Sequence, residues 1–356
     1  MMSEYKKEHT STSKIRQLLS AYDQLRQLKN DDCILEEKIY EPQEAVIQLS
    51  NFSSVVHRAR LNPNTIERFT ELNSANYFNK PVAVKEMHYN LKTKIYCEKE
   101  TSILAFLTNQ NLNIGPMFYG YVDDPYERQY RIVMDYFPAG SLSDQIDNDY
   151  IRNWELNQQG LSLISPPSWD ERRFMVRKFL QDVAQFHDQD MLHCDIKSPN
   201  VLFVKDENNH VTDVKLCDFA FAKDAGDFVT EITGTHGYIS PEMSRLYFPG
   251  SWPWVKRKVD LALSEIYSIS TVSREIVTWQ PPTWLIHGYD FEETLRFTIH
   301  EKETLPENCP KKMAEMIQWG WDADPQKRPT VYEMLNLVED DIEEAELEKS
   351  EPQFSP

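Results

Sequence analysis

The sequence predicts an α+β chain of two lobes, a small β-rich lobe followed by a larger helical one. Two observations carry this. Strand-like runs crowd the chain up to about residue 136: Ala45–Leu49, Val55–Arg60, Pro81–Met87 and Arg131–Tyr136. After it, longer patterns of helical period take over, over Trp169–His187, Glu265–Trp279 and Pro310–Trp319. Strands first and helices later is the α+β order. At 356 residues the chain has room for such a pair of units. Its 40% hydrophobic, 12% aromatic and 27% charged residues are those of a folded protein, and only 10 glycines exclude collagen-like or glycine-rich low complexity.

Charge and cysteine content narrow the classes. Lys and Arg total 38 against 57 Asp and Glu, a net charge of −19 that repels nucleic-acid phosphates and anionic membranes. No nucleic-acid partner is expected. No run approaches the ~18 apolar residues of a membrane span, and the first residues lack the apolar core of a signal peptide, so an intracellular, cytoplasmic chain is expected. Cys33, Cys97, Cys194, Cys217 and Cys309 are odd in number and far apart, which suits neither a disulfide framework nor a zinc knuckle.

At the N-terminus Ile15, Leu18, Leu19, Tyr22, Leu25 and Leu28 recur at helical spacing behind the capping-type run Thr10-Ser11-Thr12-Ser13. The spacing predicts an amphipathic helix over about 13–29, whose apolar stripe either packs on the chain's own body or docks a regulatory partner. At the other end, 339–356 carries eight acidic residues against Lys349 alone and reads as a solvated acidic tail.

The chemistry concentrates in two loops. His193-Cys194-Asp195-Ile196-Lys197-Ser198-Pro199-Asn200 sets a carboxylate, an ammonium and an amide within one loop, ahead of the apolar run Val201–Val204. Alone this could be a solvated turn. Asp218-Phe219-Ala220 follows a second β-type run, Val214–Cys217. Together the loops offer hard oxygen donors, Asn200 and Asp218, for Mg²⁺, and Lys197 for the charge of a transferring phosphoryl group.

The pair resembles the catalytic loop and metal-binding motif of the eukaryotic protein kinases, in a divergent, Ser/Thr-type form. Ser198-Pro199 is similar to the tyrosine-kinase-like branch. Other motifs stand in register. Val82-Ala83-Val84-Lys85 matches the third-strand lysine, and Glu100, fifteen residues on, falls at the glutamate of the family's αC helix. Gly234-Thr235-His236-Gly237-Tyr238-Ile239-Ser240-Pro241-Glu242 is similar to the end of an activation segment, with Arg328 the expected partner of Glu242.

The resemblance implies a bilobal protein-kinase-like fold over 45–338, with an N-lobe at about 45–136 and a C-lobe at about 141–338, preceded by an extension over 1–44. It implies ATP and Mg²⁺ as cofactors and a protein substrate. Asp195, Lys197, Lys85 and Glu100 would be catalytic. Lys85, Ser50, Ser53, Val55, Ala83, Met134, Asp135, Phe137 and Leu202 would hold ATP, and Asn200 and Asp218 the metal. Thr235 would bond Asp195 and Lys197.

Four departures stand against the pattern. Gln48, Ser50 and Ser53 occupy the places of three loop glycines, where a Cβ hinders close approach to phosphates. Cys194 replaces the arginine that reads activation-loop phosphate in many kinases. Ala220 replaces a glycine. In the helix aligned with the family's αF, Glu265 and Ser270 stand for aspartate and glycine, with Asp260 an alternative to Glu265 and the extra methylene expected to loosen the catalytic loop. A Ser/Thr protein kinase is the leading reading; a pseudokinase scaffold and a small-molecule kinase are the alternatives, the activation segment speaking against the last.

Overall fold

The computed structural model describes residues 13–25, 27, 33–40, 53–61, 81–248, 258–300 and 303–350. The chain opens with a short helix, α1 (Lys14–Ser20), and a 3₁₀ turn at Tyr22–Gln24. It continues into β1 (Cys33–Tyr40), β2 (Ser53–Leu61) and β3 (Val82–His88), then α2 (Lys94–Asn109), β4 (Phe118–Asp124) and β5 (Gln129–Asp135). These five strands make one antiparallel sheet in the order β1-β2-β3-β5-β4. β3 is its centre, which explains why Val82-Ala83-Val84 is apolar throughout and why even Lys85 is buried.

The larger lobe is helical. α3 (Leu142–Gln158) and α4 (Trp169–His187) lead to the short strands β6 (Met191–Leu192), β7 (Val201–Lys205), β8 (Val211–Leu216), β9 (Lys223–Asp224) and β10 (Phe228–Val229). Then come α5 (Pro241–Ser244), β11 (Val259–Asp260), α6 (Leu261–Thr278), α7 (Thr283–Ile286), α8 (Phe291–His300), α9 (Lys311–Gly320) and α10 (Val331–Ser350). Local chemistry sets α4's start: Ser168 Oγ accepts from the Glu171 N–H while the Glu171 carboxylate accepts from the Ser168 N–H. α6 is buried along almost its whole length and forms the lobe's spine. Its Ser270 finds room because Gly320 faces it, where a Cβ would lie 1.8 Å from Ser270 Oγ.

Three boundaries differ from the sequence reading. The amphipathic helix stops at Ser20 rather than about 29, because Ala21 ends it and Leu25 is extended; Leu28 lies outside the described residues. Its apolar stripe is covered by the chain's own core, not open for a partner: Ile15 is buried, and Leu18, Leu19, Tyr22 and Leu25 pack on the main cluster. The sheet begins at Cys33, inside the stretch read as an extension, so the small lobe starts before residue 45. The stretch read as an acidic tail is helix to Ser350: Val338 and Ile342 pack on the core, and Arg173 Nε bonds the buried Asp341 at 2.6 Å. Ala45–Leu49 lies outside the described residues.

Candidate functional site

Lys85 reaches the cleft between the lobes from the central strand. Its Nζ donates to both Glu100 carboxylate oxygens and to Asp218 Oδ1, each at 2.8 Å. Burial opposes the ammonium charge, but the Asp218 and Glu100 carboxylates outweigh it and hold the Lys85 pKa above its ordinary value. Glu100, 1% exposed, is pushed up to about 7 by burial against the pull of Lys85. Burial also acts on Asp218, yet Lys85 and Lys197 hold its pKa below the usual range.

The residues of the loop 193–200 converge below. Asp195 Oδ1 accepts from the Thr235 hydroxyl at 2.7 Å, and Asp195 Oδ2 lies 3.0 Å from Lys197 Nζ. Lys197 Nζ also donates to Thr235 Oγ1 at 2.9 Å. Asn200 Nδ2 donates to the Asp195 carbonyl oxygen at 2.9 Å. Gly234, at φ 98°, lets the activation segment pass the loop, since a Cβ there would meet Ile239 at 2.8 Å and the Cys194 carbonyl at 3.1 Å.

One carboxylate anchors this loop. Glu265 Oε1 accepts from the His193 N–H at 3.2 Å and Oε2 from the Cys194 N–H at 2.5 Å, while His187 Nε2 lies 2.8 Å from Oε1. Burial alone would raise the Glu265 pKa; the His187 bond and charge bring it below the ordinary value. The extra methylene therefore reaches both amides instead of loosening the loop. Asp260, the alternative, caps α6 instead, accepting from the Ala262 and Leu263 N–H groups. The Phe219 ring packs at a tilt against both His193 and Phe186, with centroids at 5.2 Å in each case. Arg328 grips Glu242 through two bonds, 2.7 and 2.8 Å.

With this geometry in hand, comparison with known proteins finds the protein kinase domain pattern over residues 73–338. The chain belongs to the protein kinase domain family. It is 25% identical over 86% of its length to a probable serine/threonine-protein kinase of Dictyostelium discoideum. It is 24% identical over 76% to a mitogen-activated protein kinase kinase kinase 7-like protein of Drosophila melanogaster, and 26% over 62% to the tyrosine-protein kinase SPK-1 of Girardia tigrina. The matches span 21%, 62% and 41% of those relatives' own lengths.

A protein kinase domain implies ATP and a divalent cation, and the cleft of this kinase domain offers room of about 220 Å³. Ala83, Met134, Asp135, Phe137 and Leu202 line it, with Lys85, Glu100, Asn200 and Asp218 at its polar end. Val55 does not. It pairs with Glu86 on the opposite face of β2, and Val56, opposite Lys85, takes the place, with Ser54 beside it. A slip of one residue reverses the face of a strand, so the sequence alone could not settle it. Ser50 and Gln48 lie outside the described residues, and Ser53 opens β2. Asp144 and Gly140 also line the cleft unforeseen; Ser141 and Asp144 form a capping box that the Ser-x-x-Asp spacing signals. His187 was missed as well, and its place at the C-terminal end of α4 carries no signal of its contact with Glu265.

The donors fit a hard cation. Asp218 is kept ionised with its side chain 30% exposed, and Asn200 spends its amide nitrogen on Asp195, leaving the amide oxygen. Among the described residues no helix is long and apolar enough to cross a membrane.

Proposed function

We propose that this domain transfers the γ-phosphoryl group of ATP to serine or threonine hydroxyls of protein substrates, with Mg²⁺ as the cation. The observation that carries the reading is the Asp195-Lys197-Thr235 triangle below an intact Lys85–Glu100 pair. Asp195 orients the substrate hydroxyl and receives its proton as the new O–P bond forms and the bond to the ADP oxygen breaks. Lys197 sets positive charge beside Asp195, against the charge that develops on the transferring group. Lys85, held by Glu100, positions the phosphates. Asn200 and Asp218 would hold the cation, which when bound neutralises phosphate charge. A lysine two residues after Asp195, bonded to a threonine of the activation segment, supports Ser/Thr over Tyr acceptors.

The test is transfer from radiolabelled ATP with Mg²⁺ to the protein itself and to serine, threonine and tyrosine peptides. Asp195→Asn is expected to lower transfer about a thousandfold with its thermal midpoint retained. Wild-type transfer no faster than that of Asp195→Asn overturns the enzyme reading, and transfer confined to tyrosine overturns the acceptor.

A further inference from the structure

The Lys85–Glu100 pair exists only where α2 lies, so whatever places α2 places half of the site. The N-terminal segment reaches both α2 and the stretch after Asp218. At one end Ser13 Oγ donates to the Asp224 carboxylate and the Ile15 N–H donates to Asp224 Oδ1 at 3.0 Å. Asp224 lies in β9, on the stretch that leads from Asp218 into the activation segment. At the other end the Tyr22 hydroxyl bonds that of Tyr130 at 2.6 Å, and Tyr130 in turn bonds Thr101 Oγ1 at 2.9 Å. Thr101 is the neighbour of Glu100 on α2. Between the ends, Lys14 Nζ sits 4.2 Å above the Phe106 ring, and Ile15 packs in the same cluster as Cys97, Ile103 and Leu104.

From its own side, α2 reaches the same stretch as α1 does: Lys99 Nζ donates to the Ala222 carbonyl at 2.9 Å, and the Tyr96 ring lies 5.6 Å from that of Phe221. Helix, N-terminal segment and post-Asp218 stretch thus close a triangle in which each side touches the other two.

We propose that residues 13–25 are a positioning element for catalysis, a brace within the chain that ties α2 to the stretch 222–224 and thereby holds Glu100 on Lys85. A packed helix moves as a unit between discrete positions, so two fixed points, one at Asp224 and one at Thr101, remove its freedom to swing outward. The catalytic part of this inference rests on the kinase reading; the mechanical part does not.

The experiment uses the full chain with Ser13→Ala/Tyr22→Phe, with Asp224→Asn as a second variant and Ser13→Thr as the conservative control. Amide hydrogen exchange is read over 94–109 and, as reference, over 261–278. The double variant is expected to exchange about fivefold faster or more over 94–109 and at wild-type rate over 261–278. Its kcat for peptide phosphorylation should fall about tenfold with KM unchanged, and Ser13→Thr alone should match the wild type in both readouts. Unchanged exchange over 94–109 in both the double variant and Asp224→Asn overturns the brace, as does Ser13→Thr behaving like the double variant. If the wild type transfers no phosphate, the kinase reading fails by itself and the exchange rates still decide the brace.

Discussion

Lys85 and Asp195 are both buried, at 4% and 3% exposure, but they are held by different means. Asp195 sits in a loop whose backbone is fixed by one carboxylate, Glu265, rising from the spine of its own lobe. Lys85 is held by side chains from two separate elements, Glu100 of α2 and Asp218. The lower half of the site is therefore set once α6 has packed, whereas the upper half stays sensitive to where α2 stands. A buried ion pair adds little net stability, because desolvation offsets most of its attraction, yet it depends steeply on geometry. That is the lesson of the contrast: the helical lobe spends a buried acid on rigidity, the sheet lobe on a contact that movement can break.

The largest expected effect breaks the lower half. Glu265→Ala leaves two buried amides without their acceptor and strips His187 of its partner, at a cost of about 3 kcal/mol or more in urea unfolding, with transfer lost along with it. Glu100→Gln, the matching change in the upper half, should lower transfer about tenfold and shift stability by less than about 1 kcal/mol, because Lys85 keeps Asp218 as its charged partner and the new amide oxygen still accepts. Equal stability losses in the two variants would erase the contrast.

A smaller effect tests the electrostatic burden inside the helical lobe. Asp182 on α4 is buried, its Oδ2 has no hydrogen-bond partner among the described residues, and burial pushes its pKa from 3.8 to about 8, with Asp213 adding to the rise and Lys215 opposing it. The folded form thus binds a proton that the unfolded chain releases. Stability from this group is present below pH 3.8 and is lost as pH rises toward 8. Asp182→Asn should therefore leave the thermal midpoint unchanged in acid and raise it at pH 8, by the equivalent of about 1 kcal/mol or more. A gain of equal size at both pH values would contradict the buried acid.

The smallest effect concerns phosphate on the activation segment. At Cys194, where the sequence reading expects an arginine in many kinases, the N–H is bound to Glu265 and the thiol lies 3.7 Å from the Leu192 carbonyl oxygen. Without a guanidinium there, Thr230→Ala/Thr233→Ala should change peptide phosphorylation by no more than about twofold. A tenfold loss would show that another cation reads the phosphate.

Much of the site was legible because its chemistry is local. Asp195, Lys197 and Asn200 share one loop, and the bounds of α4 at Trp169 and His187 follow from a capping box and a helical apolar period. Such signals need no distant partner, so the residues themselves determine the two-lobed α+β order, the catalytic loop and the Lys85–Glu100 register. Contacts between distant segments are another matter. Whether Val55 or Val56 faces the cleft depends on pairing with β3, and whether Glu265 or Asp260 holds the loop depends on where α6 begins. The acidic run from Glu339 is helical where Ile342 packs on the core and Arg173 bonds the buried Asp341, and α1 found its cover on α2 and β9. In each case the deciding energy lies in a contact between residues far apart in the chain, which only the packed structure brings together.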